Sequence, residues 1–409
     1  MKFYTIFLTI FLFQFQISTA KSRLVESRFD KVDAHVNEVI RGMIYHPQLL
    51  VKKLTENLTN DYDKVRAFYV WIARNIDYDF MAENLNRSDN QNVSDVLRSG
   101  KALCKGYSIL FKYFCEQAGI ETEILEGYAK GFDYKKGQRF NYSNHAWNAV
   151  FIHGSWYLLD VTWAVGNPIY VSRSQRKVDL ETYFLASPEK FIKTHLPEDP
   201  TWQLMENKLS LTDFEKSPGD APSTISKHIK AYYPQNYAGM NAYDKDILKY
   251  KRSLHFNPRN SFLVESLCFA YLYKGISMTD ELWKLDFQHL SDTADILSTA
   301  FYSTLDSAWN VIECSKNIGL FKARRVIKVE MNYQKGVFNY ELGVELYKKA
   351  MNMKMPVTQA NEIIEDYFEE AGGHFENVPT TCIYLKDAGD YLSYIEDFRR
   401  HKMAEKPAD

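Results

Sequence analysis

From Asp61 to Ile76 the apolar residues Val65, Phe68, Tyr69, Ile72 and Ile76 fall on one stripe of a 3.6-residue repeat, which predicts an amphipathic helix. A second helix is predicted from near Cys104 to near Ala118. Its buried face is Tyr107, Leu110, Phe111, Phe114, Cys115 and Ala118, and Gly119 stands where helices end in the left-handed conformation. The period then changes to two. Glu121 to Tyr128 reads as a strand, and His145 to Ile152 and Trp156 to Trp163 read as a hairpin joined around His153-Gly154. Beyond Ser217-Pro218-Gly219-Asp220-Ala221-Pro222-Ser223, a Pro, Gly and Ser cluster that marks a linker, the patterns are helical: Asp244 to Leu254, Ser261 to Lys274, Val337 to Met351 and Asn361 to Glu370.

These patterns divide the chain into a signal peptide over residues 1–20, an α+β domain over 21–215, a linker over 216–223 and an all-helical domain over 224–409. A length of 409 residues agrees with two domains of roughly 100–200 residues each. The signal peptide is read from Lys2, the apolar run Phe3 to Phe13 and the small residues Ser18-Thr19-Ala20. That run is too short to span a bilayer, so a secreted or periplasmic protein with no membrane span after cleavage is expected. Within the helical half, Tyr250 to Gly275 has a faint likeness to a tetratricopeptide unit. No repeat period follows it, so a plain helical bundle is the expectation.

Composition narrows the function classes. Aromatic residues reach 15%, which favours filled cores over disorder, and the net charge of −2 with scattered basic residues leaves no footprint for nucleic acid. There is no glycine-rich phosphate loop, dinucleotide fingerprint or EF-hand, so the sequence calls for no cofactor and no metal. Five cysteines, Cys104, Cys115, Cys268, Cys314 and Cys382, suit neither a zinc site nor a disulfide framework, and an odd number in an exported chain leaves a thiol to be explained.

Cys104 offers the explanation. At the predicted start of a helix it meets the positive end of the helix dipole and the unpaired N–H groups of the first turn. Both favour a thiolate, and those N–H groups can hold the oxyanion formed when sulfur attacks an acyl carbon. Cys115, on the apolar stripe, fits an inert buried thiol. A thiolate nucleophile works with an imidazole oriented by a third group. With a two-residue loop at His153-Gly154, Phe151 faces Trp156 and Trp147 faces Asp160. His145 and Asp160 then share a sheet face on a diagonal of about 7–8 Å, within side-chain reach. Taken singly, His145 fits a structural histidine and Asp160 a turn carboxylate; together, in order and on one face, they fit a triad with Cys104. His153 is a turn residue and a poor rival.

The residues that carry this argument also resemble a known family. VLRSGKALCKGYSILFKYFCEQAGI is similar to the nucleophile segment of the transglutaminase-like, papain-type thiol superfamily. NHAWNAVFIHGSWYLLDVTWA resembles its His and Asp segments, and KVRAFYVWIARNIDYD the helix that precedes them. YFLASPEKFIKTHLPEDPTWQLMEN is similar to an extension in the kyphoscoliosis-peptidase branch. The resemblance runs from about Phe29 to Phe214 and leaves the helical half uncovered. It implies a nucleophile helix packed on an antiparallel sheet, with Cys104, His145 and Asp160 as catalytic residues. It also implies an upstream side chain that assists the oxyanion, for which Tyr78 is the candidate. Trp71 is expected in the core, Trp147 and Trp163 against the sheet beside the site, and Gly106 where the helix start approaches its neighbours. His195 is assigned a structural role.

The resemblance implies acyl chemistry on a protein or peptide substrate through an acyl-thioester, with peptidase or amidase activity as the expectation. Transfer of the acyl group to an amine and a non-catalytic protein-binding scaffold are the alternatives. The polar loop from Gly131 to Asn144 either gates a substrate groove or is a solvated hairpin turn. The helical half is a candidate surface for a protein partner. Sequons begin at Asn57, Asn86, Asn92 and Asn141 and matter only in a eukaryotic secretory route.

Overall fold

The computed structural model describes residues 28–404 apart from 40, 86, 88–90, 132–133, 167–177, 218–238, 281, 283–289, 315–319 and 380–382. The expected signal peptide, most of the expected linker, the sequon at Asn86 and Cys382 lie outside the described residues. The chain divides into two compact units between residues 233 and 234.

The first unit is built around one helix. Helices α1 (Asp30–Glu38) and α2 (Pro47–Leu54) lead to α3 (Asp61–Asn75). Asn60 caps α3 by accepting the Asp63 N–H at 3.0 Å. Every residue from Val65 to Ala73 is buried, so α3 is covered on all sides, not only along the stripe its spacing predicts. The cost of burying Arg66 there is met by Asp33 of α1. The carboxylate receives Nε and Nη2 at 2.9 and 2.8 Å, and the Leu180 carbonyl accepts from Nη1 at 2.7 Å.

After α3 come β1 (Asp77–Tyr78), α4 (Phe80–Asn84), α5 (Val93–Ser99), β2 (Lys101–Ala102) and α6 (Cys104–Gln117). The first two strands pair in parallel, Tyr78 opposite Ala102. A four-stranded antiparallel sheet follows from β3 (Thr122–Ala129), β4 (His145–Ile152), β5 (Ser155–Leu159) and β6 (His195–Pro197), in the order β5-β4-β3-β6. Phe151 faces Trp156 across the hairpin, as expected. Its two loop residues, His153 and Gly154, both have positive φ, which matches the twist of the strands they join.

Strand β5 is shorter than its pattern predicts. It stops at Leu159, because Asp160 turns the chain into α7 (Val161–Val165) and caps it by accepting the Trp163 N–H at 3.1 Å. Two short helices, α8 (Pro188–Phe191) and α9 (Leu211–Lys216), flank β6 in sequence. One side of the sheet, through Val150 and Ile152, joins the core of α3 and α6. The other, through Leu125, Trp147 and Ala149, is covered by Phe191, Trp202 and Leu204. At about 1.5–3 kcal/mol for each large apolar side chain buried, these two layers fix the register of the strands that carry the site.

Among its described residues the second unit has only helices as regular elements: α10 (Ala242–Phe256), α11 (Ser261–Asp280), α12 (Leu290–Cys314), α13 (Phe321–Asn352), α14 (Val357–Glu376) and α15 (Leu385–Ala404). Aromatic stacks hold it, with Phe301 on Phe338 at 3.8 Å and Tyr340 on Phe368 at 5.0 Å. The architecture is an α+β core followed by an all-α region. Among the described residues no helix is long and apolar enough to cross a membrane.

Candidate active site

Cys104 is the first residue of α6, preceded by Leu103 in extended conformation with no side-chain cap. The Leu103 N–H is instead received by Gln91 Oε1 at 2.9 Å. A Cβ on Gly106 would sit 2.3 Å from that same oxygen and 3.0 Å from Ala102 Cβ, so a larger residue would push Gln91 off the Leu103 N–H and press on Ala102. The part played by Gln91 carries no signal in the sequence, since it depends on a polar segment folding back over the helix start.

His145 is placed by its neighbour Asn144, whose side chain imitates a strand residue. Its Oδ1 accepts the Ala129 N–H at 2.7 Å and its Nδ2 donates to the Ala129 carbonyl at 3.0 Å. This extends the β3–β4 ladder to the site. His145 Nε2 lies 2.7 Å from Asp160 Oδ2, leaving the other ring nitrogen for the Cys104 thiol, with which the imidazole also interacts. The His145 side chain is 8% exposed and that of Asp160 fully buried. Burial opposes a charge on His145, but the Asp160 carboxylate and Cys104 outweigh it and raise the imidazole to about 10. Burial likewise opposes a charge on Asp160, and His145 with His195 outweighs it, holding the carboxyl well below the usual carboxylate range. An imidazolium beside sulfur stabilises negative charge on it.

His195, assigned a structural role from the sequence, enters this centre. Strand β6 pairs with β3, Ala129 opposite His195, and brings His195 Nε2 to 3.1 Å from the same Asp160 oxygen. The nitrogen and oxygen atoms of His145, Asp160 and His195 lie within 4.8 Å of one another, near enough to share an ion. Here both ring nitrogens are directed at one carboxylate oxygen in hydrogen bonds.

Tyr78 lines the same cavity as His145, a pocket of about 620 Å³ whose walls include Phe80, Glu83, Trp163 and Tyr183. Its hydroxyl donates to Glu83 Oε1 at 3.0 Å. Burial, followed by the charges of Cys104 and Glu83, pushes the phenol up, so it stays a proton donor. Trp71 is core and Cys115 is buried, its thiol pushed up to about 12 by burial. Trp147 is buried against Phe191, whereas Trp163 has left the sheet for α7 and forms part of the pocket wall. Gly131 and Asn144 also line the pocket. The middle of their loop is tied down: Gly137 N–H and Tyr134 Oη donate to the Glu215 carbonyl and Phe140 N–H to the Glu215 carboxylate. Lys130 Nζ donates to Ser217 at 2.8 and 2.9 Å, so the first residues expected in the linker belong to this unit.

Residues 48–161 match the family model described as the Transglutaminase-like superfamily. The chain carries a transglutaminase-like domain. It is 34% identical over 221 residues to the kyphoscoliosis peptidase of Mus musculus and 33% identical over 220 residues to that of Homo sapiens. Each match covers 53% of this chain and 33% of the relative. The Lim and transglutaminase domain protein ltd-1 of Caenorhabditis elegans is 28% identical over 202 residues, 46% of this chain and 28% of that protein. The chain thus spans about a third of the length of these curated relatives. The transglutaminase-like domain is of the kyphoscoliosis-peptidase-like branch, as its own motifs imply.

Proposed function

We propose that the transglutaminase-like domain performs thiol-dependent acyl chemistry on peptide or carboxamide bonds, with Cys104 as nucleophile, His145 as acid and base, and Asp160 as orienting carboxylate. The observation that carries this reading is His145 set between Asp160 and Cys104 at the edge of the 620 Å³ pocket, its charge favoured over its burial. The Cys104 thiolate attacks the carbonyl carbon, and the oxyanion is received by N–H groups at the start of α6. Tyr78, once its hydroxyl turns from Glu83, adds a second donor. The imidazolium of His145 gives its proton to the departing amine, which leaves the acyl group on sulfur as a thioester. Neutral His145 then takes a proton from water, the hydroxide adds to the thioester carbonyl, and collapse of that adduct breaks the carbon–sulfur bond, releasing the carboxylic acid and leaving the Cys104 thiolate beside the His145 imidazolium. The name borne by the mouse and human relatives favours hydrolysis over transfer to an amine. The apolar run after Lys2 supports export and removal of residues 1–20. The helical unit is proposed to dock a protein partner.

The test is to incubate the full chain with a defined peptide pool, with and without dansylcadaverine as acceptor amine, beside Cys104→Ala. New peptide ends that depend on Cys104 support hydrolysis, and dansyl incorporation that depends on Cys104 supports transfer. Turnover equal in Cys104→Ala overturns the thiol mechanism, and no turnover in either favours a binding scaffold.

A further inference from the structure

His195 is completely buried, yet it is not filling space as an apolar residue would. Its ring is packed by Trp163, Phe191, Trp147 and Tyr183, with centroids 4.2, 4.3, 5.2 and 5.6 Å away. In that cage both of its nitrogens are used. Nδ1 lies 2.8 Å from Thr194 Oγ1 and Nε2 3.1 Å from Asp160 Oδ2. Asp160 is held from every side. Oδ2 receives His145 and His195, Oδ1 receives the Trp163 N–H, the backbone carbonyl accepts from Tyr69 Oη at 3.2 Å, and the backbone N–H donates to the Tyr183 carbonyl at 3.0 Å. A buried carboxylate with a single side-chain donor would be free to rotate about its Cα–Cβ–Cγ bonds and would carry a large desolvation cost.

We infer that His195 is a positioning residue, whose Nε2–H joins the Trp163 N–H in clamping the Asp160 carboxylate in the orientation that receives His145. This rests on the reading of Cys104, His145 and Asp160 as a working thiol site. The tautomer follows from the surroundings. Burial, against the pull of Asp160, brings His195 down to about 4, so at neutral pH it is uncharged, with its one proton on the nitrogen that faces the carboxylate and Thr194 Oγ1 donating to the other. Asp160 therefore carries one charged partner and one neutral one. The neutral donor satisfies the carboxylate without competing for its charge, which is left to His145.

The inference is tested by the rate at which iodoacetamide alkylates Cys104 in the full-length protein at neutral pH, read by mass spectrometry. His195→Phe fills the aromatic cage but removes the donor, and is expected to slow alkylation roughly tenfold or more, the worth of a hydrogen bond to a charged group. His195→Gln returns an N–H near the same position and is expected to recover most of the rate. In an Asp160→Asn background His195→Phe adds no further loss, because the effect passes through Asp160. An unchanged rate in folded His195→Phe, or losses that multiply in the double variant, overturns the inference. If His145→Ala also leaves the rate unchanged, it is the thiol-site reading that has failed. Should His195→Phe not fold, nitrogen-15 NMR of the wild-type histidines decides. A His195 ring that stays neutral and protonated on Nε2 from roughly pH 5 to 9 supports the clamp, and an Nδ1–H tautomer overturns it.

Discussion

Replacing Asp160 by Asn keeps the size of the side chain and removes its charge, and the structure specifies what should follow. His145 is raised to about 10 against the effect of its burial, with the Asp160 carboxylate the largest favourable influence. Returning it to an ordinary value near 6.5 removes stabilisation of the imidazolium worth roughly 4–5 kcal/mol, at about 1.4 kcal/mol for each tenfold change. Little of this is screened, since the pair is 2.7 Å apart and shut away from water. Asp160→Asn is therefore expected to convert His145 from charged to neutral at pH 7. The assay is a nitrogen-15 NMR titration of the histidine side chains, with His145 assigned by its loss in His145→Gln. The wild-type His145 signal should remain that of an imidazolium to about pH 9, and in Asp160→Asn it should titrate at or below about 6.5. A wild-type His145 that titrates in the ordinary histidine range, or one indifferent to Asp160→Asn, refutes the reasoning.

Gly127→Ala should disturb the site from a distance. A Cβ there would lie 2.3 Å from the Leu196 carbonyl oxygen and 2.9 Å from Pro197 Cα, and backbone cannot yield as a side-chain tip can. Calorimetry should record a loss of about 1–3 kcal/mol as β6 is pushed from β3, together with slower Cys104 alkylation. Arg66→Met leaves the Asp33 carboxylate without its bidentate partner and should cost about 3–5 kcal/mol in denaturant unfolding, while the exposed Glu181 end of the network adds little. Stability should also depend on pH in two limbs. His195, lowered to about 4, gains a proton on unfolding once pH falls below about 6.5, so stability drops from about 6.5 toward 4. The contribution of His145, raised to about 10, is complete below about 6.5 and fades as pH rises toward 10. His195→Gln should flatten the acid limb of a melting-temperature profile, and a limb unaltered by that change contradicts the assignment.

The parts of the site that were legible in the sequence are those fixed by neighbours close along the chain. The two-residue loop at His153-Gly154 sets the β4–β5 register, and with it the distance from His145 to Asp160. Asp160 as the end of β5 was less visible, because its capping of α7 competes with the alternating pattern that continues to Trp163. His195 stands 35 residues beyond Asp160, and its role depends on β6 pairing with β3, a long-range choice that no local period encodes. In the helical unit, helix α12 was not legible for a different reason. Helix α12 is rich in Ser and Thr, weak helix formers, and the hydroxyls of Ser303, Thr304 and Ser307 fold back onto carbonyls one turn earlier. Packing such as Phe301 on Phe338 supports it as a helix.

The central claim is that Cys104 is activated by His145, and competitive alkylation within one molecule tests it most directly. Cys115 and Cys268 are buried, each with its thiol pushed up to about 12 by burial, and Cys314 is exposed, so the chain holds its own controls. The account predicts that iodoacetamide at neutral pH labels Cys104 ahead of exposed Cys314, and that His145→Ala abolishes this preference while the fold persists. Labelling of Cys314 first in the wild type, or an equal preference for Cys104 in His145→Ala, would contradict it.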